Sequence, residues 1–177
     1  MVTQMHSLLI FARRIIFNLK FLKFLILPFA ILLLASCTNG EGEKAIFSLG
    51  SIPYSIEIPK SIAKHLTLEN LELDASNSFS SQAKEAGAVA QVRINYSAAD
   101  GSLHGFANLY YFAKADFDKA QNPNEPPLYG SKVVEENGMV LAVAGPQDSI
   151  FEPTSQDGKN SMALYTLIYE PKSFKSS

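Results

Sequence analysis

The sequence predicts an α+β fold, in which most of the chain forms antiparallel β-sheet and a helix lies near the carboxyl end. Two turns carry this prediction, because Asp100-Gly101 and Asn137-Gly138 each separate two apolar-rich runs. Asp-Gly and Asn-Gly are favoured in two-residue type I′ turns, where both positions need a positive φ. A third observation is the helical period of residues 159–170. We therefore expect about five to six strands, two hairpins and one or two further short helices.

Alternating apolar residues place the strands. Those flanking the two turns are expected at 88–98, 103–113, 131–136 and 139–144. Upstream, the run "YSIEI" at 54–58 alternates and stops at Pro59, and 66–74 reads as a further strand with poorer alternation. In 103–113 both the odd-numbered and the even-numbered residues are largely apolar. That strand is therefore expected to be covered on both faces of its sheet.

The terminal helix is expected over 159–170, with Asn160 as its N-cap and Pro171 at its end. Its apolar face would consist of Ala163, Leu164, Leu167 and Ile168. These four residues recur at helical spacing, so they are expected to pack against the sheet.

Shorter helical segments are expected elsewhere. A short helix capped by Asp116 is expected at 115–121, and a single helical turn is expected at 61–66. The segment 121–130 holds three prolines and is expected to be an irregular loop.

The amino-terminal segment has the layout of an export signal. Residues 1–36 contain four basic residues and no acid, and 24–35 is a run of twelve apolar residues. A membrane-spanning helix needs about 20 apolar residues, whereas a signal peptide needs a basic region and an apolar run of about 7–15. Residues 1–36 are therefore predicted to be a cleaved signal peptide. The alternative is an uncleaved anchor helix over 15–35.

The single cysteine of the chain lies at the end of this segment. Leu34-Ala35-Ser36-Cys37 resembles the lipobox of bacterial lipoproteins, which is Leu, two small residues and Cys. The resemblance implies cleavage between Ser36 and Cys37 and a diacylglyceryl group on the Cys37 thiol. Two or three acyl chains hold a protein on a membrane lastingly, whereas one chain does so only marginally. A disulfide is excluded for this residue within the chain, since no second cysteine exists.

The lipobox divides the chain into a signal peptide at 1–36, a lipidated tether at 37–44 and a single globular domain at 45–177. Thr38 follows the cysteine where an inner-membrane retention signal would have aspartate, so the outer membrane is expected if the host is Gram-negative.

The part of the chain after residue 37 is acidic. It holds all 17 acidic residues and 11 of the 15 basic ones, which gives it a formal charge of −6. Nucleic acid is not an expected partner of such a domain.

Motifs that would carry chemistry are missing from the sequence. There is no Gly-x-Ser-x-Gly, no phosphate loop and no Gly-x-Gly-x-x-Gly. After the signal peptide only His65 and His104 remain as histidines, and they are not at metal-ligand spacing. Asp116 and Asp118 begin like a calcium loop, but the glycine and the closing glutamate are absent. No catalytic residue, metal or cofactor is predicted.

One candidate ligand face comes from the first hairpin. A two-residue turn at Asp100-Gly101 would pair residue 97 with 104, 95 with 106, 93 with 108, and 91 with 110. One face would then be core, with Leu103 among its members. The other would combine Gln91, Arg93, Asn95, His104, Phe106, Asn108 and Tyr110. Amides, a guanidinium and aromatic rings suit a sugar, a peptidoglycan fragment or a partner strand. The alternative is that the 159–170 helix or a loop covers this face, with Arg93 paired to a carboxylate.

The run "ALYTLIYEPKSF" resembles the closing helix of the PsbP/DcrB-type domain, in which helices sandwich an antiparallel sheet. The resemblance covers about the last 85 residues and implies a binding or accessory role. We therefore expect a lipid-anchored cell-envelope lipoprotein without catalytic activity, with membrane lipid as one partner and an envelope protein or glycan as another. The alternatives are an envelope hydrolase acting on cell-wall material and a purely structural surface lipoprotein.

Overall fold

The computed structural model describes residues 43–73, 78–122 and 124–177, with the side chains of residues 78 and 79 excepted. The predicted signal peptide, the lipobox with Cys37 and residues 38–42 of the tether lie outside the described residues. So do residue 74, which was expected to end a strand, and residue 123 of the expected proline-rich loop. Among the described residues, no helix has the length and apolar character needed to cross a membrane.

The α+β fold is confirmed: residues 43–73, 78–122 and 124–177 form two antiparallel sheets and four helices. The strands are β1 Lys44–Ser48, β2 Tyr54–Pro59, β3 Leu66–Leu71, β4 Ala88–Ser97, β5 Leu103–Ala113, β6 Ser131–Glu136, β7 Met139–Ala144 and β8 Phe174–Ser176. The helices are α1 Lys60–Ala63, α2 Ser78–Glu85, α3 Lys114–Ala120 and α4 Gln156–Ile168, and a 3₁₀ turn spans Pro171–Ser173. One sheet has the strand order β1-β2-β8, and the other has the order β3-β4-β5-β7-β6.

The second hairpin forms as the sequence predicts. β6 and β7 pair antiparallel up to Glu136 and Met139, which flank the two turn residues. Asn137 has φ 51° and Gly138 has φ 76°. Both turn positions therefore have the positive φ of a type I′ turn.

The first hairpin departs from the predicted register. Its loop holds three residues rather than two, because the Ala98 N–H donates to the Ser102 carbonyl at 2.9 Å and the Gly101 N–H donates back to the Ala98 carbonyl at 3.0 Å. Gly101 has φ 85°, as a three-residue loop with a left-handed glycine requires. Ser97 consequently pairs with Leu103. The predicted pairs 97–104 and 95–106 are wrong.

A β-bulge at Phe106 restores the predicted register further along. Asn95 pairs with Gly105, whereas Ile94 pairs with Ala107, so Phe106 is an extra residue in its strand. Two predicted pairs beyond the bulge are confirmed, 93 with 108 and 91 with 110.

The five-stranded sheet has a hydrophobic core on each face. The main core combines both sheets and α4, with fully buried members that include Ile56, Ile94, Leu109, Leu141 and Leu164. The second core joins the opposite face to α2, α3 and the loop before β6, through Ala83, Phe112, Phe117, Tyr129 and Val140. β5 contributes to both cores, which confirms that this strand is covered on both faces.

Helix α4 begins earlier than predicted, at Gln156. Its N-cap is Ser155, whose hydroxyl accepts a hydrogen bond from the Gly158 N–H at 2.9 Å. The prediction that Asn160 caps the helix is wrong, since Asn160 lies in the second turn and is buried. On the predicted apolar face, Leu164 and Ile168 are buried and Leu167 is half-buried, but Ala163 is exposed.

Helix α3 likewise starts one residue before the predicted 115–121 and has a different cap. Its N-cap is Ala113, which makes no side-chain capping bond. Asp116 was expected at the cap and instead lies in the first turn, where a carboxylate complements the positive end of the helix dipole.

Candidate functional site

The structure keeps five of the seven predicted ligand-face residues on one face of the five-stranded sheet. Gln91, Arg93 and Asn95 alternate along β4, and Asn108 and Tyr110 face them from β5. The Asn108 Oδ1 lies 3.4 Å from the Gln91 Nε2 and 3.5 Å from the Arg93 Nε. These five side chains therefore form a continuous row.

One end of this row is covered. Tyr110 is buried in the second core, where its ring lies 5.4 Å from that of Tyr129. Gln91 is 1% exposed, and its Oε1 accepts a hydrogen bond from the Ser80 hydroxyl of α2 at 2.9 Å. Burial raises the pKa of Tyr110. Both residues are thus part of the packing beneath α2 and the loop before β6, and cannot touch a ligand without rearrangement.

The other end of the row is partly open to solvent at Arg93, although Asn95 itself is buried. The Arg93 NH1 lies 3.7 Å from the Glu69 Oε2, and the Asn95 Nδ2 donates to that oxygen at 3.4 Å. The side chains of Arg93 and Glu69 are 35% and 51% exposed. Gly105 leaves the neighbouring backbone bare, since it is exposed and has no side chain. We call Glu69, Arg93, Asn95 and Asn108 the polar patch.

The polar patch offers planar hydrogen-bonding groups at close spacing. It presents one guanidinium, one carboxylate and the half-buried amide of Asn108, with the buried Asn95 amide holding the carboxylate. Both donors and acceptors are therefore available to a polar ligand. The sequence predicted, as one alternative, that Arg93 pairs with a carboxylate but did not identify which one. Glu69 is that partner because it lies opposite Arg93 in the register between β3 and β4, and the sequence did not predict that register.

Two predicted face residues lie elsewhere. Phe106, at the bulge, is 2% exposed and belongs to the main core. His104 pairs with Tyr96 and its ring meets that of Phe151 edge-on, with centroids 5.2 Å apart. The prediction that Phe106 and His104 contribute to the ligand face is therefore wrong. Leu103, which was predicted in the core, is 62% exposed, because the three-residue loop moves this end of β5 by one position.

A row of four rings joins the two histidines of the domain. His65 stacks on Tyr96 at 5.4 Å, Tyr96 meets Phe151 at 5.3 Å, and Phe151 meets His104. The His65 Nδ1 lies 3.0 Å from the Ser97 carbonyl. Because a carbonyl can only accept, Nδ1 carries the proton. The histidine rings are thus separated by two aromatic side chains.

A polar network anchors α4 beneath this row. The Tyr96 hydroxyl donates to the Asp157 Oδ1 at 2.8 Å and accepts from the Asn160 Nδ2 at 3.2 Å. The Asp157 Oδ2 accepts from the Ala99 N–H at 3.0 Å. The Ala99 N–H and then the Tyr96 hydroxyl hold the pKa of Asp157 below its ordinary value. The network ties α4 to the first hairpin, and sequence spacing gave no signal of it.

Ser102 lies between a histidine and a carboxylate. Its hydroxyl donates to the Asp100 Oδ1 at 2.6 Å and lies 2.7 Å from the His104 Nε2. Since the serine proton points to the aspartate, His104 acts as the donor to the hydroxyl. A nucleophilic serine needs the histidine as its proton acceptor and the carboxylate behind the histidine. This arrangement has the opposite order, and it stabilises the turn.

Metal ligands do not cluster in 43–73, 78–122 or 124–177, where no group of three or more His, Cys, Asp or Glu side chains could hold an ion.

One further feature is a surface pocket of about 230 Å³, which lies between the loop after β7 and helix α4. It is lined by loop residues 146–149 and by Gly158, Ser161, Met162 and Tyr165. The sequence gave no indication of this pocket, because Gly158 lies before the predicted helix and Ser161, Met162 and Tyr165 lie outside its predicted apolar face.

Comparison with known proteins identifies no family for this chain: no family model, no curated protein and no solved structure matches it.

Proposed function

We propose that this protein is a lipid-anchored lipoprotein of the bacterial cell envelope and that it acts by binding rather than by catalysis. The observation that carries the proposal is the lipobox Leu34-Ala35-Ser36-Cys37, whose first two residues end a twelve-residue apolar run that follows a basic region. In a Gram-negative host the expected location is the outer membrane, since Thr38 stands where a retention signal would have aspartate.

The binding role is supported by the polar patch. Its guanidinium and carboxylate are partly exposed, the Asn108 amide is half-buried and the Asn95 amide is buried. These groups are held by one another at 3.4–3.7 Å. Such groups hydrogen-bond hydroxyls and amides, which are the functional groups of glycans and of the peptide backbone. A peptidoglycan fragment or an envelope protein is therefore the proposed ligand class.

Replacement of Cys37 by serine tests the anchor. The variant is expected to leave the membrane fraction and to partition into the aqueous phase of a detergent phase separation, because no acyl chain can be attached. Thr38→Ala is the matched control, since it lies next to Cys37 and keeps the lipobox. Unchanged membrane association of Cys37→Ser would reject the lipid anchor and favour the anchor helix over 15–35.

Co-sedimentation with purified cell-wall sacculi tests the patch. Arg93→Ala is expected to lower the bound fraction, whereas Lys64→Ala, which removes an exposed cation outside the patch, should leave it unchanged. If wild type and Arg93→Ala sediment equally, the patch does not bind the cell wall. Hydrolysis of the sacculi by the wild type would instead support the envelope hydrolase. With neither binding nor hydrolysis, a structural surface lipoprotein or a protein ligand would remain.

A further inference from the structure

The pocket between the loop after β7 and helix α4, the α4 pocket, lies away from the polar patch and is not explained by the proposed function. Gly158 and Ser161, two small residues of the helix, line it and are buried, so they form its floor. Its rim carries Met162 and Tyr165 from the helix and Asp148 from the loop. The loop that forms one wall of the pocket is fixed by contacts with helix α4 and with Tyr169, the residue that follows that helix.

Both ends of the loop wall are fixed. At its start, the Gly145 N–H donates to the Tyr169 hydroxyl at 2.9 Å. At its far end, Gly158 of the helix approaches the Glu152 carbonyl so closely that a Cβ at Gly158 would lie 2.1 Å from that oxygen. The pocket is therefore preformed, and a ligand would pay little of the ordering cost that weakens binding to mobile loops.

Exposed apolar side chains gather around the pocket. Of the residues that line it, Met162 is 64% exposed and Tyr165 is 46% exposed. Tyrosine and methionine are over-represented at protein interfaces, since each brings a large apolar area and adapts to its partner. Grouped exposed apolar residues of this kind mark interaction sites more often than scattered ones do.

The size and the charge of the pocket limit the kind of ligand that it can hold. A volume of about 230 Å³ lies below the usual range for whole small-molecule ligands, about 300–1,000 Å³. It suits one inserted side chain, as at the centre of protein interfaces. Asp148 is the one charged residue among those that line it. An occupant with a positive charge beside its inserted group is therefore favoured over one with a negative charge.

We propose that the α4 pocket docks a segment of a partner protein, which inserts one apolar side chain against Met162 and Tyr165 and places a lysine or arginine beside Asp148. This inference goes beyond the envelope-binding role, and it does not depend on the lipid anchor.

Methionine-methyl NMR can test the inference, because the chain after residue 37 contains two methionines, Met139 and Met162. Met162 reports on the pocket, and Met139 at the start of β7 serves as an internal reference. The protein would be the mature chain in nonionic detergent micelles, labelled with ¹³C at the methionine methyl groups. The probe is the peptide Gly-Lys-Leu-Lys-Gly with blocked ends, and the comparison peptides replace both lysines by glutamate or the leucine by glycine.

The lysine peptide is expected to shift the Met162 signal saturably, with a millimolar dissociation constant, and to leave Met139 unmoved. The glutamate peptide should bind about threefold more weakly, as expected for one exposed ion pair, and the glycine peptide should cause no shift. Asp148→Asn should remove the preference for lysine over glutamate. Tyr165→Ala should weaken binding, whereas Leu128→Ala, which removes an apolar side chain that is 61% exposed elsewhere, should not.

Three results would overturn the inference. The first is a Met162 signal that none of the peptides shifts. The second is equal binding of the lysine and glutamate peptides by the wild type, which would reject a cationic occupant. The third is an equal affinity of the Tyr165→Ala and Leu128→Ala variants for the lysine peptide, which would place that peptide outside the pocket.

Discussion

Replacing Phe106 by alanine is expected to lower the free energy of unfolding by about 3–5 kcal/mol, the usual cost of emptying a buried phenylalanine site. Phe106 is 2% exposed and packs in the main core from its position at the β-bulge. Leu103, three residues earlier on the same strand, is 62% exposed. Its replacement by alanine is expected to change stability by less than about 0.5 kcal/mol.

The two variants together test the register of the first hairpin. With a two-residue turn at Asp100-Gly101, Leu103 would lie in the core and Phe106 on the open face. The order of the two costs would then be reversed. The structure has a three-residue loop followed by a bulge, so it predicts that the Phe106 variant is the less stable by at least about 2.5 kcal/mol.

Urea unfolding followed by circular dichroism measures both costs, with the slope of the transition as a check that each variant unfolds as the wild type does. Equal slopes with a much lower midpoint for Phe106→Ala would agree with the structure. A larger loss for Leu103→Ala than for Phe106→Ala would refute the three-residue loop and the bulge.

Three further predictions concern stability. Gly130→Ala should lower the free energy of unfolding by roughly 3 kcal/mol or more, as measured by urea titration. Gly130 has φ 76°, and an added Cβ would lie 1.9 Å from the Val143 carbonyl oxygen. A loss below about 1 kcal/mol, the size of an ordinary substitution, would contradict this. Tyr96→Phe should cost about 1–2 kcal/mol, since the Asn160 amide would lose its acceptor; an unchanged urea midpoint would contradict the network. The pKa of Asp157 is lowered in the fold, so its stabilising effect is present at neutral pH and is lost as the pH falls below about 4. Asp157→Asn should flatten the fall in the thermal midpoint over that acid range, and an equally steep fall in the variant would contradict this.

The strands of the two hairpins could be predicted because their turns and their alternation agree. The Asn137-Gly138 turn determines its own register, since both residues accept a positive φ. The first hairpin could not be predicted to the same depth. Asp100-Gly101 fits a two-residue loop and a three-residue loop equally well, and the difference moves every side chain near the turn to the other face. The bulge at Phe106 has one sequence signal, the isolated strand glycine Gly105 beside it, which does not by itself say how the register shifts.

Only part of the candidate site could be predicted, because the register of the first hairpin was predicted correctly only beyond the bulge. Arg93 and Asn108 lie beyond the bulge, where the expected pairing holds, so their neighbourhood was predictable. Tyr110 was assigned to the correct face, but its burial depends on α2, which the sequence did not predict. The run "SFSSQAKE" of α2 is mostly polar, and it lacks the apolar period that identifies a helix.

The cap of α4 was also assigned to the wrong residue. The helix starts with the sequence "QDGK", in which a glycine lowers helix propensity and suggests a turn. The structure accepts that glycine because Gly158 donates to the Ser155 hydroxyl and leaves room for the Glu152 carbonyl. Such a tertiary requirement cannot be derived from local propensity.

The most direct test of lipid attachment at Cys37 is the intact mass of the wild-type protein, extracted from bacterial membranes with detergent. We predict a chain that begins at Cys37 and carries the added mass of a diacylglyceryl group, with or without a further acyl chain on its amino group. A chain that retains residues 1–36, or one that begins at Cys37 without any added mass, would contradict the proposed anchor.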